Sequence, residues 1–264
     1  MIQARVKAGD LEIAYKILGQ GEPLLLILGF GGTMSFWDSH MMGCLARHRQ
    51  LILFDNRGMG CTNGPTGDFS MEQFARDALN LLDALQVERT DVLGWSMGSN
   101  IAVEMFMAQP ERIRKLILYA ADCGGKEATF SPDVIHALYD TRGTIKERRE
   151  RFFRMMFPSK WIEAHPNYLM AFSQIDDWPS PTSIQRQAKA NDQWRGCFHR
   201  LSAIRCPTLL VTGTEDQVTP PINSLLMVQQ IQGAWLAQVE ECGHGLMYQA
   251  PEILADISSF FLRL

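Results

Sequence analysis

Between Thr90 and Ala108 the chain passes from a β-branched and aliphatic run, Thr90-Asp91-Val92-Leu93, into a helical run, Ser99 to Ala108. The link is Gly94-Trp95-Ser96-Met97-Gly98. So short a junction is compatible with few architectures. The backbone must turn sharply from strand to helix, with the helix packed back against the strand it has just left. A Cβ at position 94 or 98 would meet the neighbouring strand or helix, which accounts for glycine at both places. The serine between them is driven to the apex of a strained turn, its hydroxyl pointing outward.

The same rhythm extends along the chain. A hairpin at about 3–8 and 11–18 precedes a buried strand at 24–28. Strand 51–54, helix 71–86, strand 90–94, helix 97–108 and strand 114–119 follow. Ser70 as N-cap, with Gln73 three residues later, marks the start of the first of these helical stretches. Strand–helix alternation predicts an α/β fold with a mostly parallel sheet flanked by helices. The rhythm stops near residue 123 and resumes near 207 with Pro207-Thr208-Leu209-Leu210-Val211. The stretch between has amphipathic helical patches, many aromatics and methionines, and breaks at Pro158, Pro166 and Pro179. It reads as an inserted helical cap, so the expected organisation is a core of 1–123 and 207–264 with a cap of 124–206.

A serine hydroxyl is a weak nucleophile that needs a base, and the base needs an orienting acid. In strand–turn–helix sites both follow the serine, acid before histidine. His244 stands in the glycine-flanked loop Glu241-Cys242-Gly243-His244-Gly245, between the run Ala234–Val239 and a C-terminal helix at about 251–262. Asp216, in Thr214-Glu215-Asp216-Gln217-Val218, follows the strand at 207–211. Each therefore lies just past the C-terminal end of a strand, where open α/β sheets bind ligands. Asp122, after the strand ending at Tyr119, is the rival acid, and Glu215 is one residue out of register. Asp216 also has a plain structural alternative, capping a helix that starts near Pro220. The remaining histidines, at 40, 48, 136, 165 and 199, lie in polar helical contexts suited to surface roles. The oxyanion left by serine attack needs donors. Met97 N–H, at the helix start, is one. Phe30 N–H, in the Gly29-Phe30-Gly31-Gly32 loop after the strand at 24–28, is the other.

With these residues in place, the chain resembles the α/β-hydrolase fold superfamily over nearly its whole length. Asp55-Asn56-Arg57-Gly58-Met59-Gly60 is similar to that superfamily's Asp-x-Arg-Gly-x-Gly turn, whose arginine and glycines are structural in most members. The resemblance implies a serine hydrolase with catalytic Ser96, Asp216 and His244. One departure stands out: Leu28 occupies the place before the oxyanion glycine where many members carry histidine, so the loop must be anchored otherwise. The likeness is nearest to small bacterial enol-lactonase, esterase and carbon–carbon hydrolase members, and it does not choose among them.

Composition narrows the field further. A length of 264 residues suits one large domain with an insertion. A net charge of −4 argues against a nucleic-acid binder. The opening residues form no charged-then-apolar leader, and no apolar run approaches a membrane span, so a cytoplasmic protein is expected. The cysteines at 44, 61, 123, 197, 206 and 242 show no Cys-x-x-Cys pair and read as free thiols. No metal-ligand spacing is present, and the chemistry needs no cofactor. The expected partner is a small, largely apolar molecule rather than nucleic acid or membrane, and the sequence leaves a homodimer open.

Acyl transfer to water, on an ester, lactone or similar activated carbonyl, is the expected reaction. Carbon–carbon hydrolysis or cofactor-free perhydrolysis on the same triad is the alternative within the class, and a non-catalytic ligand receptor or scaffold the alternative outside it. In the cap, Phe152, Phe153, Met155, Met156, Phe157, Trp161, Tyr168, Met170, Phe172 and Trp178 are candidates for lining a pocket, most of them for packing the cap itself. Arg142 to Arg154 reads as a solvated helix face, or as the source of one arginine for a substrate carboxylate. Trp95, beside the serine, serves either the substrate or the core.

Overall fold

The computed structural model describes residues 3–65, 67–172, 175 and 177–264. In chain order the elements are β1 (Ala4–Ala8), β2 (Leu11–Leu18), β3 (Pro23–Ile27), α1 (Ser39–Ala46), β4 (Gln50–Phe54), α2 (Met71–Ala84), β5 (Thr90–Trp95), α3 (Met97–Ala108) and β6 (Ile113–Tyr119). There follow α4 (Pro132–Tyr139), α5 (Ile145–Met156), α6 (Ser159–Ala164) and α7 (Pro181–Gln193). The chain then closes with β7 (Thr208–Gly213), α8 (Ile222–Gln230), β8 (Trp235–Val239), α9 (Leu246–Gln249) and α10 (Pro251–Arg263).

The eight strands form one sheet in the order β1-β2-β4-β3-β5-β6-β7-β8. β2 pairs antiparallel with β1 and β4, and every other pairing is parallel. This is the mostly parallel sheet of an α/β fold that the alternation of strand and helix predicts. β5 and β7 are buried along their whole length, as strands covered on both faces must be. Side chains alternate between the faces. Leu25, Ile27, Val92 and Leu118 join the core built with Phe74, Ala78 and Leu81 of α2 and Ile101 and Met105 of α3. Leu24, Leu26, Leu93 and Val211 join the opposite core, with Met41 and Leu45 of α1 and Leu254 and Phe261 of α10. A helix on each face removes the sheet from water twice over.

Local signals explain the element boundaries. Ser70 caps α2 by accepting from Gln73 N–H at 3.1 Å, as the sequence predicts. Thr144 and Glu147 close a capping box on α5. The turn after β4 is held by Asp55, which accepts from Met34 N–H at 2.8 Å and Cys61 N–H at 2.9 Å. Arg57 there is structural: it donates to Asp77 at 2.7 and 2.8 Å and to Asp10 at 2.7 Å. α1 is not marked in the sequence by a clean amphipathic period; Asp38 caps it from Met41 N–H at 2.7 Å. The parallel strands place the loops after β3, β5, β6, β7 and β8 along one edge of the sheet. Helices α4 to α7 lie between β6 and β7, and α4 and α5 among them contribute Leu138, Phe152 and Met156 to a cavity at that edge. Among the described residues, no helix is long and apolar enough to cross a membrane.

Candidate active site

Ser96 sits between β5 and α3 with φ 57° and ψ −124°, a left-handed conformation unusual for any side chain but glycine. Its N–H donates to Tyr119 O at 2.8 Å, tying the turn to the end of β6. The flanking glycines are required by close approach. A Cβ on Gly94 would collide with the Gly98 carbonyl, and one on Gly98 with the Ile27 carbonyl of β3. Ser99 Oγ donates back to Gly94 O at 2.7 Å and closes the junction.

The loops after β7 and β8 meet beside this turn. His244 Nδ1 lies 2.8 Å from Asp216 Oδ2, and both residues are almost wholly buried. The carboxylate is oriented from several sides. Oδ1 accepts from Val218 N–H at 2.8 Å and Thr219 N–H at 2.9 Å. Thr219 Oγ1 is 2.9 Å from both Asp216 Oδ2 and Ala120 O, and it donates to one of them at a time. The carboxylate thus has both a turn-forming role and the histidine as partner. The histidine loop is pinned by Tyr119, whose hydroxyl donates to His244 O at 2.6 Å and accepts from Met247 N–H at 3.1 Å. Burial pushes the Tyr119 phenol well above its usual range, so it stays a neutral donor. Gly245 N–H donates to Met156 O at 2.7 Å, which ties the same loop to the end of α5. His40 and His199 lie elsewhere, each 3.1 Å from a glutamate, Glu252 and Glu127 respectively.

The loop after β3 packs directly on the serine turn. A Cβ on Gly29 would stand 2.9 Å from Ser96 Cβ and 3.5 Å from Met97 N. Met97 is the first residue of α3, so its N–H has no acceptor within the helix. Phe30 N–H has no acceptor among the described residues. With Leu28 in place of histidine, two other groups anchor this loop: Asn56 Nδ2 donates to Leu28 O at 3.1 Å, and Gly31 N–H donates to Gln187 Oε1 at 2.8 Å. Gln187, wholly buried on α7, is a site residue that sequence reasoning missed. No local pattern marks a lone glutamine on a polar helix as the partner of a loop 156 positions away.

Ser96 opens onto two adjoining cavities. The smaller, about 20 Å³, is lined by Ser96, His244, Phe30, Trp95, Phe152 and Met156. The larger, about 330 Å³, is also lined by Ser96, Met97 and Phe30 and reaches Asn100, Asp122 and Trp194. Trp95 borders the small cavity and also stacks on Tyr119, with ring centroids 5.8 Å apart, so it touches both site and core. Of the aromatics between β6 and β7, Phe152 reaches a cavity while Phe153 stacks on Phe172 at 3.8 Å. In the arginine-rich stretch, Arg142 pairs with Asp140 at 2.9 Å. Arg148 lines a third small cavity, beside Phe152 and Trp178.

Asp122 does not contact His244 through a hydrogen bond; it faces the larger cavity. It accepts from Gly124 N–H at 2.8 Å and, more weakly, from Asn100 Nδ2 at 3.4 Å. Burial raises its carboxyl above the usual carboxylate range, a shift that these two donors oppose. Cys123 and Cys242 flank the site, and burial pushes both thiols up to about 11. At neutral pH both remain thiols, with little thiolate to act as nucleophile. Among the described residues, no three His, Cys, Asp or Glu side chains are grouped to hold a metal ion.

The family model for the alpha/beta hydrolase fold matches residues 22–251. RutD of Azorhizobium caulinodans is 29% identical over 258 residues, covering 94% of each chain. The serine hydrolase BPHL of Mus musculus is 26% identical over 92% of this chain and 80% of its own. The crystal structure of the enol-lactonase from Burkholderia xenovorans LB400 superposes with a TM-score of 0.86 at 22% identity, covering 99% of this chain and 100% of that one. That last likeness speaks for the fold alone. The chain is a hydrolase and belongs to the α/β-hydrolase fold family.

Proposed function

We propose that the protein hydrolyses an ester, lactone or similarly activated carbonyl of a small, largely apolar molecule through an acyl-enzyme on Ser96. One observation carries the reading. A serine held at φ 57° on a strand–helix turn borders the same cavity as His244, whose Nδ1 is held by Asp216 at 2.8 Å. In the first step Ser96 Oγ attacks the carbonyl carbon while His244 Nε2 takes the hydroxyl proton. Asp216 holds the tautomer with Nδ1 protonated and stabilises the imidazolium. The N–H groups of Phe30 and Met97 receive the negative oxygen. The imidazolium then returns its proton to the leaving alcohol as the carbon–oxygen bond breaks. Water, deprotonated by the same imidazole, releases the acid and regenerates Ser96. Residues 124–206 act as a cap that selects the substrate and supply none of the reacting groups. An ester and lactone panel of graded acyl length, combined with fluorophosphonate labelling, tests the proposal. Labelling confined to Ser96 together with turnover of the panel supports it. Labelling that persists unchanged in Ser96→Ala overturns it.

A further inference from the structure

The larger cavity beside Ser96 has a polar end that the hydrolytic chemistry does not use. Asp122 and Asn100 form its inner end, 6% and 4% exposed. Asn100 Nδ2 is directed to the Asp122 carboxylate, which leaves Asn100 Oδ1 buried without a hydrogen-bond partner among the described residues. An acceptor buried in this way destabilises the fold unless a donor reaches it. Asp192, exposed on α7, adds a second carboxylate at the rim. No lysine, arginine or histidine is among the described residues lining this cavity. Phe130, Ile135, Leu138 and Trp194 add apolar surface to the lining.

This environment is built to receive donors and positive charge. We propose that the cavity binds a protonated amine carried by the substrate on a short apolar chain. The ammonium would donate to Asp122 and to the free Asn100 Oδ1, with its chain along Phe130, Ile135 and Trp194. The proposal deepens the serine-hydrolase reading and rests on it for the word substrate. An ammonium has three donors and a full charge, so it satisfies the orphan acceptor and neutralises the buried carboxylate together. A hydroxyl could meet only one of these needs. Asp122, a candidate for the catalytic acid by sequence position, thereby becomes a specificity residue.

Binding can be measured without turnover. Hexylammonium chloride and 1-hexanol are titrated calorimetrically into the Ser96→Ala protein, which keeps the cavity and lacks the nucleophile. Hexylammonium should bind at least tenfold more tightly. Adding Asp122→Asn should remove that preference. Asp192→Asn at the exposed rim should reduce it by a smaller factor, and it serves if the buried substitution prevents folding. Equal affinity for the two probes, or a preference that survives both substitutions, overturns the proposal. Fluorophosphonate labelling of the unaltered protein separates this failure from failure of the parent reading. Labelled protein without an ammonium preference loses the amine site and keeps the hydrolase; unlabelled protein with the preference does the reverse.

Discussion

Ser96 holds a backbone conformation that costs about 1–3 kcal/mol for a side chain other than glycine. That strain persists because Gly94, Gly98 and β3 leave the turn no room to relax. On the proposed mechanism Ser96→Ala should lower kcat by about 10³-fold or more, measured on a short p-nitrophenyl ester. The fold should remain intact by circular dichroism. Asp216→Asn should lower kcat by about 10²- to 10⁴-fold, since an amide beside Nδ1 favours the wrong tautomer. The loss at Asp122→Asn should be far smaller on the same neutral ester. A reversed ranking would move the orienting acid to the loop after β6. Ser96, Asp216 and His244 were legible as candidates in the sequence, because each falls a few residues past the end of a strand. Thr219 was not, although its hydroxyl lies 2.9 Å from the Asp216 carboxylate. A threonine three residues past an aspartate reads as ordinary turn chemistry.

The strand–turn–helix unit depends on close approach, so its tolerance of added atoms is small. Gly98→Ala would drive a methyl into the Ile27 carbonyl and should destabilise the protein by about 3 kcal/mol in urea unfolding. The loop after β3 depends instead on a distant element. Gln187 on α7 accepts from Gly31 N–H and thereby sets the position of Phe30 N–H. On the proposed mechanism Gln187→Ala should lower kcat about tenfold or more with KM little changed, because a displaced donor weakens oxyanion binding more than substrate binding. Gln187→Glu, which keeps an acceptor at the same reach, should restore much of the loss. A glutamine that served only packing would lower the melting temperature in both variants and leave the ratio of kcat to KM effects unsplit. The strand and helix positions were readable because period and capping are local. The anchor of the loop was not, because it is a contact between two elements.

Across the whole molecule, the pocket is shared between the sheet edge and the helices that separate β6 from β7. Phe30, Trp95 and His244 come from one side, and Leu138, Phe152 and Met156 from the other. Each methylene buried there contributes about 0.8 kcal/mol, so kcat/KM should rise about threefold to fourfold per added acyl carbon until the space is full. Phe152→Ala should move that break point to a longer chain. An unchanged profile would locate acyl selection in the sheet-edge loops alone. These helices also bond to the site itself, through Gln187 to Gly31 and Met156 O to Gly245 N–H. Removing them should therefore impair the chemistry as well as the selectivity.

Alternating strand and helix, the glycine-flanked serine, and the candidate acid and histidine each just past a strand were set by the chain alone. All of them follow from hydrophobic period, turn chemistry and spacing, which act over a few residues. Only the tertiary structure separated the contacts of Asp216 from those of its rival Asp122, since both end neighbouring parallel strands. It put Asp216 2.8 Å from His244 and turned Asp122 toward Asn100. It also replaced the absent histidine at Leu28 with Asn56 and Gln187, and it sorted Phe152 from Phe153 within one helix. The reason is common to all of these. Each outcome rests on a contact between residues far apart in the chain, and local sequence places no constraint on which distant partner arrives.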